Sequence, residues 1–118
     1  MSTKAKVKVK RQMTGRELAA LLYHSGFKWN NGSLHKKGGI GHRDSYCLLG
    51  QVARVAGYSN EVIDLAYEED SDIPEINDEC KTRAELRRKL CTEHGGEVFY
   101  LDSFLDGLEA AKDEVEGG

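Results

Sequence analysis

Thr14-Gly15-Arg16-Glu17-Leu18-Ala19-Ala20-Leu21-Leu22-Tyr23-His24-Ser25-Gly26 decides the fold class. The Thr14 hydroxyl can accept the amide of Glu17, and the Glu17 carboxylate can reach back to the Thr14 amide. Leu18, Leu21 and Leu22 then fall on one helical face, and Gly26 suits the C-terminal stop. A short amphipathic helix of this kind must bury its apolar stripe against other elements, so the segments on either side decide what surrounds it.

Toward the C-terminus, Phe27 to His35 reads as a small hairpin, with Asn31-Gly32 supplying the positive φ of a two-residue turn. Residues 36–44 are glycine-rich and basic and read as an exposed loop. Ser45 is expected to cap a second helix to about Ala56, with Tyr46, Leu49, Val52 and Ala53 inward. Ser59 is expected to cap a third through about Glu68, and Glu69-Asp70-Ser71-Asp72 reads as an acidic break. Ile73 and Ile76 anchor the next segment, and Asn77-Asp78 reads as a turn whose side chains bond the backbone. Thr82-Arg83-Ala84-Glu85 repeats the capping pattern before a fourth helix that ends at Gly95-Gly96. From Val98, apolar residues at Leu101, Leu105, Leu108, Ala111 and Val115 predict a fifth. The expected fold is mainly α: a compact bundle of about five short helices with one small β-hairpin near residues 27–35. Residues 1–12 read as a flexible basic tail, and 13–116 as a single helical domain.

The chain has 118 residues, 39% of them hydrophobic and 31% charged, an ordinary composition for one globular domain. No apolar run reaches the length of a membrane span, and the charged N-terminus lacks the apolar core of a secretory signal. Three widely spaced cysteines, Cys47, Cys80 and Cys91, fit reduced thiols and a cytoplasmic setting. The net charge of −3 conceals an asymmetry: residues 1–58 carry 11 Lys and Arg against two acids, whereas residues 59–118 carry 6 against 18. Such a split marks candidate interaction surfaces.

The basic residues of the tail (Lys4, Lys6, Lys8, Lys10, Arg11) and loop (Lys36, Lys37, Arg43), with Trp29 as a stacking face, are the candidate binding residues for a partner or for nucleic acid. Gln51 to Ile63 has helix-turn-helix spacing: Ala53 lies four residues before Gly57, and Ile63 six after it. This resembles the motif of transcription regulators over residues 45–68. However, Glu61, Asp64, Glu68 and Glu69 would repel phosphates, and only Asn60 on that helix suits base reading. Cys47 near a helix start, with His94 as base and Asp102 as orienting group, has the chain order of a cysteine hydrolase, but the strands that such folds place behind the histidine are missing. Cys91, His94, His42 and Cys47 form a weak zinc pattern without any Cys-x-x-Cys pair, so neither metal nor cofactor is expected.

Tyr46-Cys47-Leu48-Leu49-Gly50-Gln51-Val52-Ala53, Ile73-Pro74-Glu75-Ile76-Asn77-Asp78 and Thr82-Arg83-Ala84-Glu85-Leu86 together resemble a family of small phage and actinobacterial proteins, over residues 14–94. That family has a Tyr-Cys or Trp-Cys helix start and an Asn-Asp turn before a capped helix; this chain has Ile76 where the family more often has an aromatic. The resemblance implies a compact helical fold and a phage origin, but no chemistry. The resulting expectation is a non-enzymatic interaction protein, a phage accessory or regulatory factor binding a host macromolecule. A host protein is the expected partner, with non-specific nucleic-acid contact as the alternative and no membrane partner.

Overall fold

The computed structural model describes residues 8–66 and 72–117. The molecule is mainly α-helical. Among the described residues the elements run β1 (Gln12–Thr14), α1 (Gly15–His24), β2 (Lys28–Trp29), β3 (Ser45–Tyr46), α2 (Leu48–Val55), α3 (Asn60–Leu65), α4 (Asp72–Asp78), α5 (Arg83–Thr92), β4 (Val98–Tyr100) and α6 (Asp102–Gly117).

The capping box at Thr14 forms as the sequence dictates. Glu17 N donates to Thr14 Oγ1 at 3.1 Å, and Thr14 N donates to Glu17 Oε1 at 2.9 Å. Thr82 caps α5 in the same manner through Glu85 N, while the Glu85 carboxylate accepts from Lys81 N. Leu18, Leu21 and Leu22 of α1 meet Leu48, Leu49 and Val52 of α2, Leu86 and Leu90 of α5, and Phe104 and Leu108 of α6 in one buried cluster. At about 25 cal/mol per Å² of apolar surface, burial of this set dominates the stabilisation.

Several boundaries differ from the sequence reading, each for a tertiary reason. Residues 8–12 are not a free tail. Gln12 to Thr14 pair antiparallel with Val98 to Tyr100, Leu101 N donates to Arg11 O at 2.7 Å, and Val9 packs on the core. Residues 1–7, with Lys4 and Lys6, lie outside the described residues. The same pairing makes 98–100 a strand, so the last helix starts at Asp102. Lys28-Trp29 is a strand, but its partner is Ser45-Tyr46, in parallel, rather than residues 33–35. That pairing takes Ser45 out of the cap position, and Cys47 becomes the N-cap of α2. Asn77-Asp78 closes a sixth helix, α4, rather than forming a turn. Pro74 is tolerated there because it falls in the first helical turn. α3 ends at Leu65, and Tyr67 to Ser71 lie outside the described residues. No helix among the described residues is long and apolar enough to cross a membrane.

Candidate functional site

The basic loop is an ordered hairpin. Lys36 N donates to Ser45 O and Ser45 N to Lys36 O, each at 2.9 Å, closing the ends of the 36–45 segment. At the tip, His42 N donates to Gly39 O at 3.1 Å across a turn whose third residue, Gly41, has φ +78°. This is type II geometry, which places Ile40 at the second position. Gly38 lets the two arms approach: a Cβ there would overlap the carbonyl oxygens of His42 and Arg43.

Ile40 is 100% exposed. An isolated exposed apolar residue is common on protein surfaces. Here, however, the residue is presented by a turn held from both sides and flanked by Lys36, Lys37, His42 and Arg43, all exposed. Neither lysine enters an ion pair among the described residues, and the Arg43 guanidinium donates only to Gly26 O, at 3.3 Å.

The base of the hairpin is fixed by His35. Its side chain is only 6% exposed and lies between two carboxylates, with Nε2 2.7 Å from Asp44 Oδ2 and Nδ1 2.7 Å from Asp64 Oδ1. The ring stacks on Tyr46 at 5.2 Å. Carboxylates at both nitrogens require both to donate, which is the protonated imidazolium. Burial of the ring works against that charge, but the hydrogen bonds that the ring donates to both aspartates outweigh it and raise the His35 pKa. The His35 hydrogen bond, followed by the Gly38 amide at 3.0 Å, holds the Asp44 carboxyl below its usual range. The two carboxylates sit on opposite edges of the ring and do not converge on a point where a metal could bind. Among the described residues no group of three or more His, Cys, Asp or Glu is placed to hold a metal ion.

The other residues singled out in the sequence are held elsewhere. Lys10 pairs with Glu17, and Arg11 bridges Asp102 and Asp106 at 3.0 Å each. Lys8 lines a separate cleft with Val9 and Arg54. Trp29 packs on the core and donates its indole N–H to Asn77, so it is not a free stacking face. Of the named cations among the described residues, Lys36, Lys37 and Arg43 share the hairpin, while Lys8 and Arg11 line the separate cleft. On α3, Asn60 accepts from the Tyr46 hydroxyl at 2.7 Å and donates to Asp44, while Asp64 holds His35. Glu61 remains exposed. Cys47 is 1% exposed, the ring of His94 contacts Glu97, and Asp102 is taken by Arg11.

The sequence reading passed over Ile40 and His35. The signal for Ile40 was present: one apolar residue between glycines in a basic stretch. His35 had no local signal, because its partners lie 9 and 29 residues away. No family model, curated protein or solved structure matches the chain.

Proposed function

We propose that the protein is a non-enzymatic interaction module, an accessory factor of phage type that docks on a host protein through the 36–45 hairpin. The observation that carries this reading is Ile40, fully exposed at the second position of a fixed turn and surrounded by cations. A single apolar knob in a basic ring fits an apolar pocket with an acidic rim. The knob supplies desolvation, while the ring supplies orientation and on-rate. Because the turn is already closed, little ordering entropy is lost on docking. Duplex reading by α3 is disfavoured, since its one suitable side chain, Asn60, is committed inside the molecule.

The test is affinity capture from host-cell lysate with three baits in parallel: the parent, Ile40→Ser and the Lys36→Glu/Lys37→Glu pair. A protein retained by the parent and lost from both variants supports the reading. A partner retained equally by all three, or a retained species that is nucleic acid, refutes it.

A further inference from the structure

A second surface lies on the seam between α1 and α5, distinct from the hairpin. A shallow groove of about 380 Å³ runs there, with Ala19, Ala20 and Ala84 among its lining. Three arginines stand around it: Arg16 from α1, and Arg87 and Arg88 from α5. None of the three has an acidic partner among the described residues, although this chain contains 20 acidic residues. Elsewhere on the surface, Lys10, Arg11 and Lys89 are each paired with Glu or Asp. Like charges from two helices therefore face one slot whose counter-charge no described residue supplies.

We propose that this groove is a docking slot for an acidic segment of a partner protein, a stretch bearing several Asp or Glu side chains. Guanidinium groups present a planar fork that matches carboxylates in pairs of hydrogen bonds, which lysines cannot do. The alanine methyls leave room for a small apolar side chain between those acids. Single-stranded nucleic acid fits less well. Base stacking needs open aromatic faces, and one face of Tyr23 is already taken by the Arg87 guanidinium, 4.5 Å from the ring centroid. The His24 ring abuts Tyr23 edge-on at 4.9 Å. A slot of this volume holds a few side chains rather than a duplex.

Cys91 lines the same groove and is exposed, whereas Cys47 and Cys80 are buried. Its alkylation therefore reports occupancy without interference from the other thiols. The experiment uses the full chain, a fluorescent peptide of alternating Glu and Ala, and low salt. Anisotropy gives the affinity, and iodoacetamide labelling gives the protection of Cys91. The expected result is binding accompanied by protection. Affinity should weaken about tenfold or more in Arg16→Gln/Arg88→Gln, as charge-assisted hydrogen bonds are lost. Lysines at both positions should restore it only in part, and Ile40→Ser should leave it unchanged. The slot is refuted if the peptide fails to bind, if binding leaves Cys91 unprotected, or if the arginine substitutions have no effect. It is also refuted if a single-stranded oligonucleotide protects Cys91 and the peptide does not. Loss of peptide binding in Ile40→Ser alone would move the acidic contact to the hairpin.

Discussion

The indole N–H of Trp29 donates to the side-chain oxygen of Asn77 at 2.8 Å, across 48 residues of chain. The same oxygen accepts the backbone N–H of Leu48, the first residue of α2, at 3.0 Å. Asn77 is 0% exposed and also donates through Nδ2 to Asn30 O. One carboxamide thus ties β2, the start of α2 and the end of α4 together. It satisfies an amide that the helix itself leaves without a partner.

Replacing Asn77 by Leu strands those donors. Each unsatisfied buried donor costs about 1–3 kcal/mol, so we expect a loss of about 2–4 kcal/mol in urea unfolding. Trp29 is the sole tryptophan, so its fluorescence follows both the transition and the local change. A loss below about 0.5 kcal/mol, the range of an ordinary surface substitution, would refute the tie.

The hairpin gives a second test. Gly38→Ala puts a methyl onto two carbonyl oxygens and should open the arms, removing hydrogen-exchange protection from the Lys36 and Ser45 amides. Gly41→Ala imposes a positive φ on a residue with a Cβ, costing about 1–2 kcal/mol, and should loosen the tip more than the base. Unchanged protection at Ser45 in Gly38→Ala would mean that the arms do not need this close approach.

His35 makes the hairpin pH-sensitive in a defined direction. Its pKa is raised in the fold, so its contribution is complete below the ordinary histidine value and is lost as pH rises through the folded one. Asp44 is lowered, so its contribution is present above the ordinary aspartate value and fades as pH falls through the folded one. Protection factors of the Lys36 and Ser45 amides should therefore be highest between about pH 4 and 6.5. They should decline above that range in the parent, and the decline should vanish in His35→Gln. Protection that rises with pH in the parent would contradict the imidazolium assignment.

Truncation before Met13 removes Arg11 and Gln12 from β4 and Val9 from the core. The solvent-screened surface pairs of Arg11 contribute little, so most of the loss should come from the strand and from Val9. We expect a fall in Tm of several degrees, at about 4–8 °C per kcal/mol for a domain near this size. An unchanged Tm would show that the fold begins at Thr14.

What the sequence disclosed depended on the range of the interaction. The Thr14 and Thr82 caps lie within three residues of their partners, and both were legible. The Leu18, Leu21 and Leu22 stripe was legible because helical periodicity is local. Ser45 is a residue type that favours a cap, though without the Glu that follows Thr14, yet it sits in a strand, because pairing of Ser45-Tyr46 with Lys28-Trp29 prevailed over local preference. Val98 fits the helical spacing but pairs with Thr14, 84 positions earlier. Lys36, Lys37 and Arg43 were found from charge alone. The clamp on His35 and the arginine groove needed the packed fold to bring distant residues together.

The docking role of the hairpin is tested most directly by a photo-crosslinking residue at position 40, with a control at exposed Tyr100. In host-cell lysate, we expect a discrete protein adduct from position 40, none from position 100, and loss of the adduct in Lys36→Glu/Lys37→Glu. Excess duplex DNA should not compete. An adduct from position 100 but not from position 40, or a position-40 adduct that is nucleic acid, would contradict the hairpin as a protein-docking element.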